Sequence, residues 1–205
     1  SPVIENTSYP KRHPGRDHIR GRIWRITAKG RPLLKQPQIE GRPVVELLEL
    51  LKEHEPLTRH FARRELQERK ADSILPNLNR WLMANQASEQ MQLEALWIYQ
   101  GLNLREPKLL KTLLEAKDAH VRAAAVRVLR QWQDGLKDAP KLLRKLVEDK
   151  HPRVRLEAVL ACGFSNAHDD AEIAQLAAGH PLDDGLRHAL NETLRYHGRE
   201  NAAAG

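Results

Sequence analysis

"DAHVRAAAVRVLRQW" (residues 118–132) and "KHPRVRLEAVLACG" (residues 150–163) decide how the rest of the chain is read. Each has valine followed by arginine, with alanine three residues after the arginine: Val121-Arg122 with Ala125, and Val154-Arg155 with Ala158. Weaker copies stand on either side. "LTRHFARREL" supplies Arg59 and Ala62, "QMQLEALWIY" supplies Gln92 and Ala95, and "GLRHALNETL" supplies Arg187 and Leu190. The marker residues therefore fall at 59, 92, 122, 155 and 187, a period of 30 to 33 residues. Self-similarity at a fixed period of this size signals a repeat architecture.

A second apolar pattern precedes each marked segment: "VVELLELLKE", "SILPNLNRWLMA", "PKLLKTLLEA", "APKLLRKLVED" and "DAEIAQLAA". In the third of these Leu109, Leu110, Leu113 and Leu114 form one stripe of a 3.6-residue helix, as Val121, Ala125, Val128 and Leu129 do in the segment that follows. Pro107, Pro140 and Pro152 fall where a first helical turn tolerates a missing N–H. Ser88, Asp118 and either Asp183 or Asp184 are placed to cap starting helices. Gly101, Gly163 and Gly198 are expected at helix ends, where positive φ is cheap for glycine. The unit is a helix pair, repeated five times over roughly residues 43–198. A single pair buries too little to stand alone, so neighbours must stack and share one apolar layer. The fold class expected is all-α, an α-solenoid preceded by a short extended segment. Aromatic residues make up only 4% of the chain, which suits a thin stack of helices better than a broad core.

Helix pairs of this length, with Asp-x-x-Val-Arg-x-x-Ala opening the second helix, resemble HEAT repeats. The likeness is strongest over 107–132 and 138–163, and Gln92 departs from it by replacing the arginine. It implies that the arginines form a ladder tied to acidic groups between units, with Asp118 and Asp149 as candidate partners.

"DHIRGRIWRIT" (residues 17–27) is the one stretch with strand character, Ile19, Ile23 and Ile26 alternating with arginines around Trp24. "DHIRGRIWRITAKGRP" resembles the closing strand of a β-propeller related to the soluble glucose and sorbosone dehydrogenases, which use pyrroloquinoline quinone (PQQ). "GRPLLKQPQIEGRPVVELLELL" and "LEALWIYQGL" are similar to the bridge and helical region that follow such propellers in large bacterial proteins, often ahead of a cytochrome c module. The resemblance implies residues 1–42 as a propeller remnant and linker, 43–198 as the solenoid and 199–205 as a flexible tail. It implies that PQQ and haem c belong to parts of a parent protein outside this chain, and it suggests a periplasmic or exported location. The partners it implies are that propeller, a cytochrome c domain, or another protein.

The chain carries a formal charge of +7, and the excess is local. Residues 1–42 hold ten Lys/Arg against three acidic residues, while the remainder holds 24 of each sign. A neutral body speaks against an extended phosphate-binding groove. No apolar run is long enough for a membrane span.

Catalytic groups are absent from the pattern. Cys162 is the single cysteine and lies on an apolar helical face, so it is expected to be buried and inert. His168-Asp169-Asp170 reads as a loop that caps the next helix, and the Asp pair as cap and surface charge. His120 and His151 occupy similar places in the two best repeats and belong to turn structure. No nucleophile elbow, Walker A or dinucleotide fingerprint occurs. The candidate surface consists of the markers Arg59, Gln92, Arg122, Arg155 and Arg187, with Trp97 and Tyr99 as aromatic anchors. The arginines read either as a basic line for an acidic partner or as inter-repeat hydrogen bonding, which their acidic neighbours favour. Helical spacing favours core packing for Trp97. The expectation is a non-catalytic protein-interaction scaffold; the alternative is a nucleic-acid-binding solenoid of the DNA-repair type. A third reading, a retained enzymatic role such as chromophore lyase activity, finds no residue set to support it.

Overall fold

The computed structural model describes residues 29, 30, 32, 37–165 and 169–198. The strand expected at 17–27 and the tail 199–205 lie outside the described residues. The chain divides into two units, Ser1–Gln36 and Pro37–Gly205, and every described helix belongs to the second.

Among the described residues ten α-helices follow one another as five pairs: α1 (Val44–Leu50) with α2 (Pro56–Gln67), α3 (Ala71–Ala84) with α4 (Glu89–Gly101), α5 (Pro107–Leu114) with α6 (Ala119–Trp132), α7 (Ala139–Leu146) with α8 (Pro152–Gly163), and α9 (Asp170–Gln175) with α10 (Asp184–Tyr196). Short 3-10 turns extend α6 and α9. The second helices α2, α4, α6, α8 and α10 pack side by side in one continuous row, while the first helices form a second layer against them. This is an all-α solenoid.

Capping explains where the second helices begin. Each starts with a side chain that accepts a hydrogen bond from its own first turn: Glu55, Ser88, Asp118, His151 and Asp183. Every one of them lies four residues before its marker. None of the five first helices has such a cap. Each cap supplies an acceptor to one of the backbone N–H groups that a helix start leaves unsatisfied. Pro56, Pro107 and Pro152 occupy the first helical position, where no N–H is needed.

The core is the apolar layer between the two rows. Leu109, Leu110, Leu113 and Leu114 of α5 are all buried, and so are Val121, Ala125, Val128 and Leu129 of α6. Ala62, Ala95, Ala125 and Ala158, each three residues after a marker, have no exposed surface. A methyl at that position lets neighbouring second helices approach, and a larger side chain would force them apart.

The glycine expectation holds at Gly198, where φ is +71°. Gly101 and Gly163 are helical residues without positive φ, and the left-handed turn after α4 is made by Asn103 at +56°. These two glycines serve close packing instead. A Cβ on Gly101 would collide with the Gln67 side chain, and one on Gly163 would sit 3.0 Å from Thr193 Oγ1.

Ser88→Ala should remove the α4 cap and lower the unfolding free energy by about 1 kcal/mol. Urea denaturation of the two proteins side by side measures it; an unchanged midpoint would mean that the cap is redundant.

Candidate functional site

The five markers are the residues that unify the repeats, and each folds its side chain back onto the turn preceding its own helix. Arg59 donates to the carbonyls of Glu53 and His54, at 2.6 and 2.9 Å. Arg122 donates to Ala116 and Lys117, at 2.8 and 3.0 Å. Arg155 donates to Asp149 and Lys150, at 2.9 and 3.3 Å. Arg187 reaches the Leu182 carbonyl at 3.3 Å, and Gln92 makes the neutral version through its amide to Gln86. The acceptors are always five or six residues before the marker. They lie in the turn between the two helices of a pair, where backbone carbonyls have no helical partner. The marker is therefore first of all a turn clamp, a role its spacing from the repeat alone did not announce.

Contacts between repeats come second and differ from joint to joint. Arg122 grips both Asp149 carboxylate oxygens at 2.9 Å from the next repeat. The hydrogen bonds that Arg122 donates to the Asp149 carboxylate are the main reason the Arg122 pKa is raised. Burial would raise the Asp149 carboxyl, but the Arg122 guanidinium and the His151 backbone N–H outweigh it and hold the group below its usual value. Arg155 has no such carboxylate, because the residue six before Arg187 is Pro181. Only the Pro181 carbonyl is available, at 3.0 Å, and the buried Arg155 Nε is left without an acceptor. Asp118, the other expected ladder acid, caps its own helix at 2.8 Å and forms no ion pair with an arginine among the described residues. Between the second and third repeats Glu89 takes the linking role, accepting from the backbone N–H groups of Lys117 and Asp118.

Two buried glutamates organise the exposed face of the second helices. Glu94 is flanked by Arg59 and Arg63, and Glu157 by Arg127 and Arg153. Burial pushes the Glu94 pKa up despite the opposing pull of Arg63 and Arg59. Arg63 also covers the Trp97 ring at 4.7 Å, and Arg130 covers Phe164 at 4.6 Å. Trp97 is half-buried against the core, and its carbonyl accepts from Gln67 at 2.8 Å. An open groove of about 490 Å³ runs past Arg63, Trp97, Gln100 and Gln131. Tyr99 faces the other way: it is buried, and its hydroxyl donates to Asn79 of α3, within its own pair. It belongs to the core and offers nothing to a partner. Trp81 and Trp132 are core residues too. The basic residues Arg63, Arg127 and Arg130, and exposed Phe164, were not among the candidates. The signal that identifies them is their place relative to the markers, read across adjacent repeats.

Two further expectations change. His120 and His151 are not equivalent: His151 is the cap of α8 and matches Asp118, while His120 lies two residues inside α6. Their rings nevertheless meet edge to face, with centroids 5.7 Å apart. Asp170 is 1% exposed rather than a surface charge. It lines a cavity of about 410 Å³ with Gln133, Leu143 and Ser165. His168 lies outside the described residues. Cys162 is fully buried, and burial, with Asp170 adding to it, pushes its thiol up to about 12, so no thiolate forms at neutral pH. Among the described residues no three His, Cys, Asp or Glu side chains form a group suited to a metal ion.

Stacked pairs, capped second helices and clamped turns define an α-solenoid of helical repeats. Residues 106–195 match the family model for HEAT repeats, which supports a HEAT-repeat region over that stretch. The match begins at the third pair, and the same cap and clamp spacing continues through the first two. No curated protein and no solved structure gives a significant match.

Asp149 and Glu94 should respond to pH with opposite signs. Asp149, lowered on folding, stabilises fully above the ordinary carboxylate range and loses its contribution as pH falls through its folded pKa. Glu94, raised on folding, contributes most at low pH and less as pH rises through its folded pKa. At pH 7, Asp149→Asn should cost about 2 kcal/mol, because it breaks a bidentate pair inside the stack. Glu94→Gln should cost less, since it also removes a desolvation penalty. Denaturation series from pH 3 to 8 test both, and equal costs at all pH values would refute the assignment.

Pro181→Asp should supply the acceptor that Arg155 Nε lacks. A gain of about 1 kcal/mol would raise the melting temperature by roughly 2–4 °C. A melt at or below the parent value would show that the two turns are not equivalent.

Proposed function

We propose that this chain is a non-catalytic scaffold that holds a protein partner on the row formed by its second helices. HEAT repeats are generally protein-interaction scaffolds, and no helix among the described residues is long and apolar enough to cross a membrane. One observation carries the choice of face. The first-helix layer bears exposed lysines in ion pairs, such as Lys111–Asp138 and Lys145–Glu115. Lys52 there lies over the Trp81 ring, but that ring is buried. The second-helix row instead carries arginines over the half-buried Trp97 and the exposed Phe164, side-chain types that favour protein interfaces.

The finer part of the proposal rests on the resemblance of residues 17–27 to a propeller's closing strand. In it, the solenoid is the spacer of a sugar-dehydrogenase-like protein, in the periplasm or exported, positioning the propeller relative to a neighbouring module. PQQ and haem c would be held by those other modules, and no residue here is assigned to either. Propeller blades encoded directly upstream would support this parentage, and their absence would overturn it.

The scaffold reading is tested by site-specific photo-crosslinking in the source organism. A benzophenone residue at Arg64 or Gln131, both exposed on second helices, should give discrete protein adducts. The same group at Arg80 or Arg144 on first helices should give none. Adducts confined to the first helices, or to nucleic acid, would overturn the reading.

A further inference from the structure

The α6–α8 seam carries more positive charge than its own stability uses. Glu157, with a side chain 5% exposed, accepts a hydrogen bond from Arg127 at 2.7 Å and forms an ion pair with Arg153 at 3.0 Å. One buried carboxylate thus neutralises one of two guanidiniums, and both arginines stay about half exposed. Arg130, one helical turn beyond Arg127, adds a third cation and makes no ion pair among the described residues. At the corresponding α2–α4 seam Glu94 also sits between two arginines, but both are largely withdrawn from solvent, Arg59 clamping its own turn and Arg63 covering Trp97.

Arg130 is poised rather than idle. Its guanidinium lies over Phe164 at 4.6 Å, and Phe164 is 70% exposed. A guanidinium held over a ring still carries several N–H donors that can meet a carboxylate fork. The ring also fixes the side chain, so less rotamer entropy is lost on binding. Glu157, Leu160 and Phe164 fall at i, i+3 and i+7 along α8, which draws the cations and the ring into one line along the seam.

We propose that the α6–α8 seam binds an acidic peptide segment, its carboxylates on Arg130 and the Arg127–Arg153 pair and an apolar side chain on Phe164. This deepens the scaffold reading and rests on it. Charge complementarity selects the occupant. Residues 43–205 are electroneutral, so a long polyanion would run from these arginines onto acidic surface, whereas a short acidic segment meets the local excess alone.

The test is fluorescence polarisation with the full chain and a labelled acidic decapeptide carrying one central phenylalanine. Its Glu→Gln counterpart and a single-stranded oligonucleotide of equal charge serve as comparisons. Saturable binding of the acidic peptide is expected, with none for the neutral one. Arg130→Glu should weaken it about tenfold and Phe164→Ala about threefold, whereas Arg144→Glu on α7 should leave it unchanged. Thermal melts of each variant separate lost binding from lost folding. Absent peptide binding, indifference to Arg130→Glu, or tighter oligonucleotide binding would each overturn the proposal. If the peptide fails while crosslinks to protein at Gln131 persist, only the acidic-segment proposal falls. If both fail, the scaffold reading falls with it.

Discussion

Where the chain reverses within each pair, one side chain closes the turn, and the rest of the solenoid depends on that closure. A helix end leaves carbonyls unsatisfied and the next helix start leaves N–H groups unsatisfied. In an isolated hairpin water would serve both. In a stack the next repeat covers much of the turn, so the groups need partners inside the protein. The cap four residues before the marker serves the donors, and the marker itself serves the acceptors. Arginine suits this because its planar fork reaches two carbonyls and still has donors left for the next repeat. Arg122 uses all three of its nitrogens in this way. Gln92 keeps the clamp but forfeits the second function, and the link to the third repeat passes to Glu89.

The joints between repeats alternate in chemistry. Between the first and second pairs, and between the third and fourth, a buried glutamate two residues after the marker is held by arginines. At the same place in the third and fifth repeats stand Ala124 and Ala189. At that level those joints use neutral groups, in addition to the Glu89 and Arg155 links nearer the turns. The Gln100 and Gln131 amides meet in one, and Thr193 donates to the Val159 carbonyl at 3.3 Å in the other. Buried charges need partners with good geometry to offset their desolvation, so the charged joints are the more selective ones. Nearest-neighbour coupling in a solenoid lets such different joints coexist without disturbing one another.

Much of the architecture was legible because it rests on period. The marker spacing, the leucine stripe of α5 and the caps at Ser88, Asp118 and Asp183 all reach the structure in the places the sequence assigns. Glu55 and His151 were missed as caps because glutamate and histidine are not the usual residues there, although their offset from Arg59 and Arg155 was in plain view. The clamp was missed for a different reason. Its acceptors are backbone carbonyls, which every residue possesses and no sequence pattern marks. The ladder through Asp149 was visible as charge, but its counterpart at Pro181 was not, since a carbonyl substitutes for a carboxylate. The exposed arginine–aromatic pairs join residues of different repeats, so each half looks ordinary in its own helix.

Net charge shows most clearly why the candidate surface was underrated. A balance of zero over residues 43–205 suggested a surface without a preferred sign. That inference assumes that acidic and basic groups are equally exposed. In this fold they are not, because Glu94 and Glu157 are withdrawn between helices while the long arginine stems carry their charges outward. A sequence that is neutral as a sum is therefore basic along particular seams, and α6–α8 is one of them. The burial that makes the glutamates useful as joints is the same burial that leaves arginines facing solvent. Stability and recognition at this seam thus draw on one arrangement, in which the acid holds the helices together and the cations it only half neutralises remain for a partner.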